Sequence, residues 1–272
     1  MDVLTAAVLG LVQALTEFLP VSSSGHLVLA QHLLGVESES GLSMDAVAVA
    51  VHFGTLLSVV VVFRTDVWSL IHTSMTSGMR PRSWSEQWST NPHFRMAASI
   101  VVGCIPAGVL GLAFKDTIES AFQSVTVVSV ALVLTGCVLL ALMRAPKGDG
   151  HVGLRSGLVI GIVQAIAIVP GISRSGSTIA AALFLRLERE HAAKYSFLLS
   201  LPVIAGATAL KTLELLGNDV HFDLWLALGT GALVAFGAGV AALKFLMVTV
   251  KSGSFAYFGW YCLGVGLIGL SV

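Results

Sequence analysis

The sequence predicts an all-α integral membrane protein, an inverted-topology repeat of six full transmembrane helices and two re-entrant helix–loop–helix hairpins. Three observations lead there. Of 272 residues, 56% are hydrophobic and only 11% charged, and mean hydropathy is +0.89, whereas soluble domains carry about 25% charged residues. Two apolar regions are interrupted by short polar strings, and those two regions are copies of each other at a constant spacing.

The full spans are expected at Ala46 to Phe63, Met96 to Phe114, Phe122 to Met143, Tyr195 to Leu216, Leu224 to Val248 and Phe255 to Val272. Each is rich in Leu, Val, Ala and Gly with polar residues at its ends, the pattern of a helix that crosses lipid. The other two regions behave differently. Val3 to Leu34 is broken by Pro20-Val-Ser-Ser-Ser-Gly25, and Gly153 to Leu185 by Pro170-Gly-Ile-Ser-Arg-Ser-Gly176. At 1.5 Å per residue the piece after the first break covers only about half of a ~30 Å hydrocarbon core, so both regions suit hairpins that dip in and return.

Adding 151 to Gly10, Gln13 and Ala14 gives Gly161, Gln164 and Ala165, and adding it to Ser22, Ser24 and Gly25 gives Ser173, Ser175 and Gly176. A gapless match in which both copies break at the same place indicates a duplication. The chain is then one membrane domain, residues 1–272, with repeat one at 1–150 (hairpin 3–34) and repeat two at 151–272 (hairpin 153–185). Three spans separate the hairpins, and an odd number of crossings makes them enter from opposite faces, so that broken helices meet near the midplane. This arrangement gathers basic residues on one face, from Arg64 and Arg95 through Arg144, Arg155 and Arg189 to Lys251, and leaves Lys115 and Lys211 on the other. The positive-inside rule makes the basic face cytoplasmic in the inner (plasma) membrane, with both termini and the mouth of the first hairpin outside. Gly78 to Pro92, which holds Trp84 and Trp88, is expected to be an interfacial cytoplasmic loop.

Formal net charge is zero and no basic run forms an electrostatic arm, which excludes nucleic acid as an expected partner. Cys104, Cys137 and Cys262 are scattered through apolar runs and suggest neither a disulfide framework nor a zinc site. Asp2, Gln13 and Glu17 interrupt the N-terminal stretch where a cleavable signal stays basic and then apolar, so it is expected to remain in the mature fold.

An ionisable residue inside an apolar hairpin is costly, which singles out Glu17. Gln13 lies four residues earlier on the same helical face. Together they offer oxygen ligands of the kind that Mg²⁺ or Ca²⁺ prefers; a capping or interfacial role is the alternative. Ser22-Ser23-Ser24-Gly25-His26 supplies hydroxyls where a helix begins. One Ser there is a cap, but three exceed that need, and a Ser at a helix N-terminus with a His nearby has the makings of an activated nucleophile. Arg174 stands in the second copy where the first has Ser23. Its permanent charge needs a carboxylate or an anion at that depth. Pairing with Glu17 is one reading; the other is a phosphate clamp made with Ser22, Ser24, Ser173, Ser175 and Thr178.

Leu15-Thr-Glu-Phe-Leu-Pro-Val-Ser-Ser-Ser-Gly-His26 and Pro170-Gly-Ile-Ser-Arg-Ser-Gly-Ser-Thr178 resemble the two signature motifs of the undecaprenyl-diphosphate phosphatase family of the bacitracin-resistance type. The likeness extends to His52-Phe-Gly-Thr55 and Ser196-Phe-Leu-Leu-Ser-Leu-Pro202 and covers nearly the whole chain. It implies hydrolysis of undecaprenyl diphosphate to the monophosphate that carries cell-wall precursors, assisted by a divalent cation. Carried over by motif, Glu17 and Gln13 take the acidic positions, Ser23 is the nucleophile, His26 its partner and Arg174 the phosphate clamp. Many members have Glu where this chain has Gln13, which shifts any metal-ligand role toward Glu17. The expected partners are a polyprenyl diphosphate and membrane lipids; a homodimer is compatible with the sequence, which does not set the oligomeric state. A secondary transporter or lipid flippase on the same inverted repeat is the rival reading, but alternating access does not call for a serine cluster beside a His.

Overall fold

A computed structural model describes residues 2–33, 41–78, 84–215 and 222–271. Their regular structure is helical: α1 (Val3–Phe18), α2 (Ser23–Leu33), α3 (Gly41–Val62), α4 (Arg64–Gly78), α5 (Trp84–Thr90), α6 (Pro92–Ala113), α7 (Lys115–Ala121), α8 (Val125–Ala141), α9 (Leu154–Ile166), α10 (Arg174–Phe184), α11 (Arg189–Leu215), α12 (Phe222–Ser252) and α13 (Phe258–Gly269). Several helices start where a side chain caps them. Asp2 accepts from Thr5 N, Asn91 from His93 N and Phe94 N with Pro92 following it, and Ser124 from Val127 N.

Among the described residues four helices are long and apolar enough to cross a membrane: Pro92–Ala113, Val125–Arg144, Arg189–Leu213 and Trp225–Ser252. A fifth follows if Ala46–Val62 and Arg64–Thr76, bent by 85° at Phe63, count as one span. The chain is thus an all-helical integral membrane protein. Where the sequence predicts a sixth full span, a short 3₁₀ turn and α13 together cover only Ser254–Gly269, with Gly253 in the left-handed region (φ 84°) before them. The expected loop at Gly78–Pro92 contains α5 and ends at Asn91, the cap of α6; residues 79–83 lie outside the described set.

Lipid exposure explains the surface. On α1, Leu4, Val8, Leu11 and Leu15 recur at helical spacing and all stand exposed, an apolar stripe that suits a hydrocarbon surrounding and would be a liability in water. Polar contacts collect at one end of the bundle instead. Lys194 reaches Asp66 at 3.1 Å, Lys251 reaches Glu190 at 2.8 Å, and the rings of His151 and His191 meet at 4.6 Å. Glu188 caps the start of α11 there by accepting from the N–H groups of Glu190 and His191. Partial burial works against its charge, but the His191 ring and those N–H groups hold its carboxyl below the usual range.

The two halves interlock. Helix α1 crosses α12 where Gly10 meets Gly231, and α9 crosses α6 where Gly161 meets Gly103; a Cβ on Gly10 or Gly161 would overlap the facing glycine's carbonyl. Gly10 and Gly161 stand 151 positions apart, the spacing of the sequence match, and α1 and α9 pack on α12 and α6 by the same close approach. The third contact is reciprocal within one pair, since Cβ atoms on Gly136 of α8 and Gly259 of α13 would lie 2.8 and 2.7 Å from each other's carbonyl oxygens. Small residues that let backbones touch are the main adhesive where helices gain nothing from leaving lipid. An aromatic knot holds the end of α1: Phe18 meets Phe197 of α11 edge-on at 5.7 Å, and Phe63 stacks on the same ring at 6.3 Å.

These contacts set opposite signs for two Gly→Ala exchanges. Gly161→Ala forces side chain against backbone and should destabilise by about 1–3 kcal/mol, whereas Gly264, with open space around its Cα, should gain up to about 1 kcal/mol from helix propensity. Thermal unfolding of the purified variants in detergent reads both, and a Gly161→Ala protein as stable as wild type would refute the interlock.

Candidate active site

The site is built from the two breaks. After α1 the chain turns through Leu19, Pro20, Val21 and Ser22, and after α9 through residues 167–173. Pro20 has no N–H to continue a helix. Each new helix then starts on the same device. The Ser22 hydroxyl accepts from Gly25 N at 3.3 Å and lies 3.3 Å from the Ser24 hydroxyl; 151 residues later the Ser173 hydroxyl accepts from Gly176 N at 3.1 Å and lies 3.4 Å from the Ser175 hydroxyl. The copies differ in backbone. The first break places Ser22 itself in the left-handed region (φ 67°), at a cost of about 1 kcal/mol for a residue with a Cβ, while the second gives that conformation to Gly171 (φ 94°).

The breaks also touch. A Cβ on Gly25 would lie 3.1 Å from Gly171 Cα, and one on Gly176 would lie 3.2 Å from Pro20 Cβ, again equivalent positions. Both turns are anchored from the α8–α13 pair. Thr135 of α8 donates to Gly171 O at 3.1 Å and accepts from Ser173 N at 3.1 Å, and Cys262 of α13 donates to Pro20 O at 3.4 Å. Helices α2 and α10 therefore begin side by side, and their first-turn N–H groups, which lack intrahelical acceptors, are brought to one place.

At that place lies a cavity of about 180 Å³ bounded by Glu17, Ser22, Ser23, Ser24, Ser173, Arg174 and Ser175, with His52 and Thr16 beside them and Phe122, Ala167, Ile168 and Ile172 as apolar wall. Glu17, whose side chain is 9% exposed, is fully engaged. Its Oε1 accepts from Arg174 Nη2 in an ion pair, and its Oε2 accepts from Ser23 Oγ at 2.8 Å and from Gln13 Nε2 at 3.2 Å. Gln13 Nε2 also lies 3.2 Å from His52 Nε2, and His52 Nδ1 donates to Ala48 O at 2.7 Å, which leaves Nε2 as the acceptor. Arg174 keeps one group unused: Nη1 is buried with no hydrogen-bond partner among the described residues.

The structure thus gathers Gln13, Glu17, Ser22, Ser23, Ser24, Ser173, Arg174 and Ser175, and it realises the Glu17–Arg174 pair that the sequence offered as one of two readings. The three serines have separate roles, for Ser22 caps α2, Ser24 reaches Ser22, and Ser23 alone donates to the carboxylate. Two expected residues stand elsewhere. His26 does not contact Ser23; its Nδ1 donates to Ser22 O at 2.8 Å and its Nε2 accepts from Tyr261 OH at 2.8 Å, the two rings near-parallel. Thr178 is fully buried one turn into α10, its hydroxyl donating to Arg174 O at 2.7 Å and 2.6 Å from Ser196 Oγ. It braces the helix that carries Arg174 and does not face the cavity.

Sequence reasoning gave no site role to His52, which it named only within the family likeness, or to Tyr261. His52 had a usable signal, an ionisable residue in the middle of an apolar span. Tyr261 had none, because an exposed Tyr near a chain end reads as an interfacial anchor.

Among the described residues no three His, Cys, Asp or Glu side chains are grouped to hold a metal ion. Among the described residues Glu17 is the one carboxylate at the cavity, and a cation bound to it would have to share oxygens already given to a guanidinium, a hydroxyl and an amide. The described side chains alone therefore do not fit a resident divalent cation, which takes six or more oxygens.

Residues 6–268 match the model of the family described as bacitracin resistance protein BacA. The undecaprenyl-diphosphatase of Salinibacter ruber is 42% identical over 265 residues, covering 97% of each chain. That of Desulforapulum autotrophicum is 41% identical over 276 residues (99% of this chain, 98% of the relative), and that of Korarchaeum cryptofilum is 40% identical over the full length of both. Agreement of this extent, over a chain whose two motifs meet at one cavity, places the protein in the bacitracin resistance protein BacA family.

Proposed function

We propose that this protein hydrolyses undecaprenyl diphosphate to undecaprenyl phosphate and inorganic phosphate, returning the carrier lipid to cell-wall synthesis and so conferring bacitracin resistance. The observation that carries the reading is Arg174: a partly buried guanidinium with Nη2 on Glu17 and Nη1 buried and unclaimed among the described residues, at a cavity ringed by serines and two helix starts. A diphosphate answers each of those donors. Phosphoryl transfer asks a protein mainly to position the group and to neutralise charge on its oxygens, and donors fixed in a water-poor cavity do that without reorganising.

In this reading Ser23 attacks the terminal phosphorus, its proton passes to Glu17, the bridging P–O bond breaks and undecaprenyl phosphate leaves. Water then releases phosphate from Ser23. Glu17 rather than His26 is the base because the hydroxyl already donates to it. His26 steadies the first break through the Ser22 carbonyl, while Ser22, Ser24, Ser173 and Ser175 line the phosphate site and Thr178 braces α10. Glu17 would offer an oxygen to Mg²⁺ or Ca²⁺, and such an ion, if bound together with the diphosphate, would neutralise charge on the phosphate oxygens.

The setting is a multi-pass protein of the inner (plasma) membrane with six crossings, α3, α6, α8, α11, α12 and the 254–269 segment, and with α1–α2 and α9–α10 as re-entrant hairpins. Helices α9 and α10 have 13 and 11 residues, about 20 and 16 Å, so neither spans a ~30 Å core. The end bearing Lys194, Glu190 and Lys251 is cytoplasmic, and the cavity opens toward the outer face. The reciprocal packing of α1 on α12 and α9 on α6 supports repeats at 1–150 and 151–272. No specific observation favours a transporter or flippase.

Purified protein in detergent should release phosphate from undecaprenyl diphosphate, and Arg174→Ala should reduce kcat at least about 100-fold, as loss of an oriented charge donor does. Glu17→Gln should be comparably slow yet still retain a phosphate analogue; wild-type turnover in both variants would remove the site assignment. Ser23→Ala tests the nucleophile: acid-stable phosphorylation of the wild-type chain by labelled substrate should vanish with it, and substantial residual turnover would transfer the attack to water. A chelator should stop turnover, while the protein without diphosphate should show no tight cation binding by calorimetry; a tight protein-only site would contradict the ligand count.

A further inference from the structure

A second cavity, about 450 Å³, lies between α8, α9 and α10 and is lined by Leu134, Val138, Val163, Ile166, Ile172 and Phe184. Ile172 belongs to both cavities, so this groove begins at the wall of the diphosphate site. From Ser177 to Phe184 it follows eight residues of α10, a rise of about 10 Å. Leu134, Val138, Ile166 and Phe184 are each 40% exposed or more, which opens its outer side to lipid. The hydroxyl of Thr135, which also lines it, is already committed to Gly171 O and Ser173 N.

The duplication accounts for the open groove. Ser177 and Ala180 of α10 are equivalent to His26 and Leu29 of α2, since 26 plus 151 is 177 and 29 plus 151 is 180. In the first half His26 closes on Tyr261, and Leu29 packs over Gly269, so large side chains fill the cleft against α13. In the second half a hydroxymethyl and a methyl leave the corresponding cleft against α8 empty.

We propose that this groove seats the first isoprene units of the prenyl chain and makes Ala180, Ser177 and Ile172 determinants of specificity for prenyl over other diphosphates. The inference rests on the diphosphatase reading and names the part of the substrate that the phosphate site does not touch. An unbranched head with no chain has nothing to bury there, whereas each isoprene unit removes several carbons from contact with headgroups and water as the diphosphate is drawn in.

The test compares undecaprenyl diphosphate with methyl diphosphate on Ala180→Leu, which installs the side chain found at the equivalent first-half position, and on Val138→Trp, which fills the groove from its lipid-exposed wall if the first variant does not fold. Filling should lower kcat/KM for the prenyl substrate about tenfold or more and leave methyl diphosphate unchanged. Equal losses on both substrates, or no loss on either, would overturn the proposal. A non-hydrolysable prenyl diphosphonate bearing a diazirine on its first isoprene decides the matter independently of turnover. Labelling should fall on 134–138 and 177–184 and be displaced by unlabelled analogue; labelling spread over the lipid-facing surface means that ordinary bilayer lipid occupies the groove and overturns the proposal. Should the wild-type chain release phosphate from neither substrate, the diphosphatase reading fails while the labelling still judges the groove.

Discussion

A carboxylate and a guanidinium inside a hydrocarbon layer govern the rest of this architecture. Separately, Glu17 and Arg174 would each be a costly intruder; as a contact pair they cancel, and the remaining oxygens of Glu17 are satisfied by Ser23 and Gln13. Buried pairs seldom add net stability, and losing one partner is far more damaging than never having had either. The pair is therefore better understood as preorganisation. It fixes Arg174 with Nη1 uncommitted among the described residues and holds Ser23 against its acceptor.

That pair joins residues 157 positions apart, so its geometry depends on how closely the halves are locked. Three glycine crossings and the contact between the two breaks supply that lock. None of these contacts uses a long side chain with many rotamers, so little conformational freedom is lost in making them. Thr135 and Cys262 then tie the turns to the central α8–α13 pair, which gives two irregular segments the backbone partners that lipid cannot offer.

Much of this is legible in the sequence because its signals are strong and local. Apolar length reveals α6, α8, α11 and α12, Pro20 and Pro170 mark the breaks, and the spacing of 151 identifies the paired caps. The position of Glu17 near Arg174 follows once the hairpins are taken to meet. What sequence does not carry is side-chain direction over less than one turn. His26 follows Ser23 by three residues, a spacing that permits contact, yet its ring turns to Tyr261, 235 positions away, a partner that no local pattern encodes. Thr178 fails for a similar reason: the phosphate-clamp pattern ignores that its hydroxyl has a nearer acceptor in the Arg174 carbonyl. The last apolar segment begins where the sequence indicates, though as a 3₁₀ turn after Gly253 at positive φ, and its described helix ends at Gly269, three residues before the expected end.

Comparison of equivalent positions suggests how a duplicated scaffold acquires a one-sided chemistry. The cap serines and the glycines Gly10 and Gly161 recur at the 151 spacing, and they do the same work at both breaks. Divergence is concentrated just beside them: Glu17 faces Ile168 across the duplication, Ser23 faces Arg174, and His26 and Leu29 face Ser177 and Ala180. The first half thereby contributes acceptor and hydroxyl, the second contributes fixed positive charge and open apolar space. A symmetric pair of helix starts would attract an anion without distinguishing its ends. With these exchanges the cavity holds its charged groups at the two helix starts and shares Ile172 with an apolar groove, so under the proposed function an amphipathic diphosphate would be oriented with its terminal phosphorus toward Ser23 and its chain toward α8.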